Sequence, residues 1–292
     1  MFKTVKNLLW AFDSEWVPDP RAGRLLYGLG EDLPDAEVIQ EMWQRGGATA
    51  DNPTPYLKTV LCRVVSIVVV QRFAHKDGRV TLNLLTLPRG PTRATDTEAS
   101  IIGTFLEAMG ERQPQLVGYN SLAADLRILV QRAIVSGLRC PRFAFRPNKP
   151  WEGVDYFARG GESHLDLKEY ATPGWGSGSP SLHELAVLSG IPGKLDTCGD
   201  QVAQLWLDGR LEEIIAYNEC DALTTYLLWL RMAHFAGHFS SEAYGVEQER
   251  VWQLLQQESV SKPHLLRFST AWQQLAGDKH PAAGGSPPLD PQ

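Results

Sequence analysis

The chain has 292 residues, 43% hydrophobic and 21% charged, which is the balance of an ordinary globular protein able to bury one sizeable core or two small ones. No apolar run approaches the roughly 18 residues of a membrane-spanning helix, so no transmembrane segment is expected. A net charge of −6 taken alone argues against non-specific binding to nucleic acid by lysine and arginine neutralisation, an objection that weakens if several carboxylates hold divalent cations, because a metal-filled acidic site attracts phosphate.

The N-terminus, Met1-Phe2-Lys3-Thr4-Val5-Lys6, leads directly into a strand-like pattern, with no separate apolar segment or small-residue cleavage site of a secretory signal. Residues 8–17 (LLWAFDSEWV) read as a first strand. Residues 18–56 are rich in Pro, Gly and Asp and read as a long connection carrying one short helix near 35–45. Two β-rich runs, 59–73 and 79–87, flank His75-Lys76-Asp77-Gly78, whose Asp-Gly pair signals a hairpin. A helix is predicted over 97–111 with Thr95 or Asp96 as its cap, then a short strand at 115–119 and a helix over 122–137 ending at Gly137. Residues 139–180 read as loop with a short strand near 164–167. Ser181 is placed to cap a helix of 182–189 and Asp200 another to about 208. A long helix over 211–234 and two more at 242–257 and 263–275 follow, then a Pro- and Gly-rich tail, 277–292, expected to be disordered. The order implies a mixed sheet with helices on its faces. None of Cys62, Cys140, Cys198 and Cys220 forms a CxxC pair, so they read as reduced thiols of a cytoplasmic protein.

Three segments carry chemistry. Asp13 and Glu15 alternate on one strand face, where two carboxylates repel unless a cation sits between them. Mg²⁺ and Mn²⁺ favour such oxygen ligands. Taken alone, the pair is more often two solvated acids. Val117-Gly118-Tyr119-Asn120-Ser121 ends a strand and starts a helix that Asn120 or Ser121 can cap. Asp125 then falls in its first turn, where an acid also complements the helix dipole. Tyr217 and Asp221 share a face, i and i+4, of the long apolar helix, where an Asp needs a partner.

In this order the three segments resemble the DEDD exonuclease superfamily in its tyrosine-containing branch, and within it the predicted 3′→5′ exonucleases related to the exonuclease domain of family B DNA polymerases. Phe12-Asp13-Ser14-Glu15 stands for Phe-Asp-x-Glu, Gly118-Tyr119-Asn120 with Asp125 after a four-residue gap for the second motif, and Tyr217-x-x-x-Asp221 for the third. His164-Leu-Asp-Leu-Lys168 and Ser181-Leu-His-Glu-Leu with Ile191-Pro-Gly-Lys-Leu195 also look familial, and the resemblance spans residues 8–232. It implies a ribonuclease-H-like α/β fold, a mixed β-sheet flanked by helices. Residues 1–240 would form the exonuclease domain and 241–276 a helical extension of it.

It further implies Asp13, Glu15, Asp125 and Asp221 as ligands of two divalent metal ions, Mg²⁺ or Mn²⁺, with Asp13 bridging, and Tyr217 orienting the attacking water. The expected activity is metal-dependent hydrolysis from the 3′ end of single-stranded nucleic acid, DNA favoured over RNA. An RNA exonuclease, or a binding module that has lost catalysis, are the alternatives. The chain departs from the pattern at Ala124, where a bulky aromatic is common, and at Trp16, where a small residue such as Thr is common.

Trp16, Asn120, Arg142 and Arg146 are the expected substrate contacts. Trp16 can stack on a terminal base or pack in the core. The arginines belong to a stretch with Arg139, Lys149, Phe143, Phe145 and Trp151 that suits a strand's backbone and bases, or simply covers the core. The Gly-rich loop 173–178 reads as a flap or a flexible linker. Asp166 competes with Asp125 for the third carboxylate but ranks below it. His234 and His238, i and i+4 at a helix end, read as helix-terminal residues rather than a metal pair.

Overall fold

The strand expected around 8–17 forms as β1 (Leu8–Pro18) in the computed structural model, which describes residues 1–89, 97–149, 151–173, 178–195 and 201–277. It is the central strand of a five-stranded sheet ordered β3-β2-β1-β4-β5, with β2 (Cys62–Ala74), β3 (Val80–Leu87), β4 (Gln115–Gly118) and β5 (His164–Asp166). β2 pairs antiparallel with β1 and β3, while β4 runs parallel to β1 and to β5. One strand therefore opposes four. With helices on both faces this is the ribonuclease-H-like α/β arrangement expected from the motifs. The β2–β3 hairpin closes as predicted, Gly78 taking φ 83° and its N–H donating to His75 O at 3.0 Å.

Parity along β1 decides what each face meets. Leu9 and Ala11 join Val68, Val70, Val117 and Leu165 beneath α9 (Leu211–Phe235), against Leu223, Tyr226, Leu227 and Leu230. Trp10 and Phe12 face the other way with Ile67, Val69 and Leu116, beneath α3 (Glu98–Arg112) and α4 (Asp125–Val135). α9 is buried on all sides from Ala222 to Leu230 because α10 (Ser241–Glu258) and α11 (Pro263–Gly277) cover its outer face with Val251, Leu254, Leu255, Leu265 and Phe268. Each such buried aliphatic or aromatic side chain contributes about 1.5–3 kcal/mol. A buried two-pronged pair, Arg72 to Glu247 at 2.7 and 3.1 Å, ties α10 to β2.

The connection after β1 holds two helices, not one. α2 (Asp35–Arg45) was expected, and α1 (Pro20–Tyr27) was not. Pro20 reads as a breaker, yet it occupies the first turn, where its missing N–H costs nothing, and Asp19 caps the helix through Arg21 N. Gly23 permits close approach to α2: a Cβ there would fall 2.7 Å from Met42 and Val38. α4 begins at Asp125, three residues later than expected, and neither Asn120 nor Ser121 caps it. Asn120 takes the left-handed φ of 60°, and the Ser121 hydroxyl instead meets His164 Nε2 at 2.8 Å.

The remaining helices are α5 (Pro141–Ala144), α6 (Leu167–Ala171), α7 (Leu182–Leu188) and α8 (Val202–Leu207). Ser181 caps α7 in a reciprocal box with Glu184, as its sequence predicts. Thr97 caps α3; Thr95, Asp96, Cys198, Asp200, loop residues 174–177 and tail residues 278–292 lie outside the described residues. His234 and His238 are packing residues, stacked on Tyr244 and Phe2 and bonded to the backbone oxygens of Phe239 and Phe2. Among the described residues no helix is long and apolar enough to cross a membrane.

Candidate active site

Asp13 and Glu15 continue the parity of Leu9 and Ala11, so both carboxylates turn toward α9. There Asp221 meets them. One oxygen from each of Asp13, Glu15 and Asp221 lies within 4.8 Å of the others. The register of β1 on β2 shifts between Glu15 and Trp16, since Glu15 pairs with Ser66 but Trp16 with Val64. Such a bulge bends a strand and re-aims its side chains beside a site. α9 is docked at this level by Asn218, whose buried Nδ2 donates to Ser66 Oγ at 3.0 Å.

Three acids this close oppose one another's ionisation. Burial, then the charges of Asp125, Glu15 and Asp221, push Asp13 well above the usual carboxylate range. Burial, then Asp221 and Asp125, do the same to Glu15. Burial raises Asp221 to about 6, against a Tyr217 hydrogen bond and the charge of Lys194. Hard oxygen donors, mutually repelling and gathered at one point, are the donor set a divalent cation neutralises, so the residues present fit such an ion.

Asp125 is the first residue of α4 and approaches from the opposite face of β1. Its Oδ1 accepts from the Ser14 N–H at 3.1 Å and hydroxyl at 2.7 Å, Ser14 being the residue between the two strand acids. Burial raises it to about 7, those Ser14 bonds opposing. The structure thus brings Asp13, Glu15 and Asp221 into one group and sets Asp125 beside it, with one oxygen committed to the strand. Tyr217, one turn before Asp221, hydrogen-bonds that carboxylate. Burial and the charges of Asp221, Glu15 and Asp13 push its hydroxyl far above its ordinary value. So placed, the hydroxyl can donate a hydrogen bond to a neighbouring oxygen.

Asp166 has a different task from the acids. Its carboxylate accepts from the N–H groups of Asn120 (2.8 Å), Leu122 (3.0 Å) and Lys168 (3.1 Å), which pins the turn leading to Asp125. Asn120 is the keystone of that turn, its Oδ1 accepting from Lys168 Nζ at 3.4 Å. Trp16 does not accompany the acids: opposite parity lays it half-buried against the α3 and α4 layer. Arg142 and Arg146 are also apart from them. α5 abuts Gly110 at the end of α3, and Tyr156 bonds Pro114 O just before β4. The acids lie past the other end of the β1–β4 pairing, beyond Ala11 and Val117. Arg142 pairs with Glu111 at 3.0 Å and Arg146 with Asp155 at 2.9 Å.

Lys194 is the site residue that sequence reasoning passed over. Its charge favours the ionised forms of Asp13, Glu15 and Asp221. Gly193 lets the chain pass against α7, where the Lys194 N–H donates to His183 Nδ1 at 3.0 Å; a Cβ at Gly193 would meet that nitrogen. The stretch Ile191–Leu195 was noticed, but no spacing rule joins a loop lysine to a strand acid. A cleft of about 110 Å³ opens beside the group, lined by Lys194, Tyr217 and Asp221 and by residues of α11.

Residues 54–272 match the family described as predicted 3′–5′ exonucleases related to the exonuclease domain of PolB. The match takes in Asp125, Tyr217 and Asp221 but begins after β1, so Asp13 and Glu15 stand on motif and geometry. Among solved structures, the chain is similar to the family B DNA polymerase from the hyperthermophilic archaeon Pyrobaculum calidifontis, at 18% identity and a TM-score of 0.46. That similarity covers 78% of this chain and only 25% of the polymerase. Comparison with curated proteins gives no match.

Proposed function

Because the chain belongs to the family of predicted 3′–5′ exonucleases related to the exonuclease domain of PolB, we propose that it hydrolyses phosphodiester bonds from the 3′ end of single-stranded nucleic acid, DNA in preference to RNA. The observation that carries this reading is the meeting of Asp13, Glu15 and Asp221 within 4.8 Å, with Tyr217 bonded to Asp221. Asp13, Glu15 and Asp221 would hold the cations, with Asp125 completing the set for two ions, Mg²⁺ or Mn²⁺. Such ions, when bound, supply Lewis acidity and a water acidified enough to attack at neutral pH.

The chain's own residues do the rest. Tyr217 donates a hydrogen bond and orients the attacking water. Lys194 offers positive charge to the phosphate. Ser14 holds the Asp125 carboxylate directly and Asp166 holds the turn that leads to it, so the fourth carboxylate is positioned before substrate arrives. The preference for DNA rests on the kinship with a DNA polymerase's exonuclease domain. Residues 1–240 would be the catalytic domain, with 241–276 an extension sharing the core of α9. The complete set of acids and tyrosine speaks against a binding module that has lost catalysis.

The test is digestion of 5′-labelled single-stranded DNA and RNA in Mg²⁺ or Mn²⁺, wild type beside Asp13→Ala. A metal-dependent ladder shortening from the 3′ end, lost in the variant, is the expected result. Cleavage of RNA alone would transfer the reading to an RNA exonuclease. No cleavage of either strand would leave the binding module.

A further inference from the structure

Lys194 is an exposed residue at the end of a buried stretch of chain. Ile191, Pro192 and Gly193 before it are all buried, and Ile191 belongs to the core beneath α9. A lysine carries its charge on a flexible four-carbon stem, so the place of that charge depends on how firmly its backbone is held.

Residues 189–194 are held from two sides. On the α9 side, Arg231 Nη2 donates to Ser189 O at 3.1 Å, and the buried Thr224 hydroxyl lies 2.9 Å from Pro192 O. Thr224 lies three residues beyond Asp221, so the loop is referenced to the helix face that carries that acid. On the α7 side, the Ile191 N–H donates to Ala186 O at 2.9 Å and the Lys194 N–H to His183 Nδ1 at 3.0 Å. The second bond sets the tautomer, because an accepting Nδ1 leaves the ring proton on Nε2. Gly193 leaves no room between loop and ring: a Cβ there would collide with His183 Nδ1.

Among the described residues, His183 does not line the cleft that Lys194 shares with Tyr217 and Asp221. Its one bond to that region ends on the Lys194 backbone. Building on the exonuclease reading, we propose that His183 is a positioning residue, which by accepting the Lys194 N–H holds that lysine beside the acids as a fixed cation for the phosphodiester to be cut. A phosphate approaching three carboxylates then meets a positive charge whose place is settled beforehand.

The experiment is a double-mutant cycle on the full chain, read by fluorescence anisotropy of a 5′-labelled single-stranded oligodeoxynucleotide in Ca²⁺ over a series of salt concentrations. Lys194→Ala should reduce the salt slope by about 0.7, the loss of one phosphate contact on a single strand. His183 is exposed, so substituting it leaves the fold intact. His183→Ala should weaken binding about 3–10-fold, the range of one hydrogen bond's net contribution. In a Lys194→Ala chain the same change should have no effect, which a purely structural role would not predict. His183→Asn should restore binding, since its Oδ1 can accept the N–H that Nδ1 accepted. A His183→Ala chain that binds like wild type, or whose defect persists undiminished without Lys194, overturns the positioning role. So does an unchanged slope in Lys194→Ala, which would leave nothing to position. The same oligonucleotide in Mg²⁺ reports hydrolysis separately. Shortening by wild type without the coupling sinks the positioning role alone, whereas an intact strand with the coupling present sinks the hydrolytic reading and leaves the positioning of Lys194 standing.

Discussion

The division of labour among the acids is set by what each oxygen already touches. Asp166 has its carboxylate on three backbone N–H groups, Asp125 has one oxygen on Ser14, and Asp13, Glu15 and Asp221 turn theirs toward one another. Replacing Asp166 with Ala should cost about 1–3 kcal/mol in a urea titration, because it leaves the turn at Asn120 without acceptors. A midpoint unmoved by that change would show the turn to be held by something else. Tyr217 is placed as a donor. Tyr217→Phe should lower single-turnover cleavage about 10²–10⁴-fold while Mg²⁺ still raises the melting temperature. Near-normal turnover would remove the tyrosine from the chemistry. At this scale Asp13, Glu15, Tyr217 and Asp221 were legible because strand and helix periodicities are local rules. Lys194 was not, since its place depends on how a loop lands across the sheet. Nor was the placement of Trp16, Arg142 and Arg146 legible, because composition carries no direction: parity turns the first away from the acids, and the arginines sit beyond the far end of the β1–β4 pairing.

The elements are held around β1 by buried ion networks as well as by apolar contact. Arg132 on α4 donates to Glu98 at the start of α3, at 2.6 and 2.8 Å, and to Asp19 at the end of the β1 segment, at 2.7 Å. Glu98 in turn accepts the Val64 N–H at 2.8 Å, next to the bulge. Arg132→Leu leaves two carboxylates buried without their cation and should destabilise the fold by about 3–5 kcal/mol, read as the denaturant midpoint. A loss under about 1 kcal/mol would mean that water reaches the pair. Contacts between residues distant in sequence also explain two boundary misses. Asp19, which reads as one polar residue in a loop, caps α1. α4 starts late because the preceding turn is shaped by Asp166 and His164 from β5, neither of which is near in sequence. Helices with strong local signals, such as α7 with its Ser181–Glu184 box, formed where expected.

Across the whole molecule, the acidic group couples stability to pH. Asp221 at about 6 and Asp125 at about 7 stand above the unfolded carboxylate value of about 3.9. Sites raised in this way stabilise the fold fully below the unfolded value, and that contribution is lost as pH rises through 6 to 7. Cation binding needs the ionised forms, so its effect runs the other way. The rise in melting temperature on replacing a chelator with Mg²⁺ should therefore grow from pH 4 to pH 7, and Asp221→Asn should flatten the trend. A rise independent of pH would separate the cation from these carboxylates. The mixed sheet followed from element order in the sequence, while its strand order and the role of α10 and α11 did not, because only assembly shows β1 at the centre and the two helices closing the outer face of α9.

Asp13 lies in the first strand and Asp221 in the ninth helix, so the group cannot exist until nearly the whole domain has been made. At the usual pace of about 5–20 residues per second, a ribosome needs roughly ten to forty seconds to pass from one to the other. Through that interval the growing chain carries two exposed carboxylates and no complete centre. The centre is therefore assembled only with the docking of α9, late in synthesis.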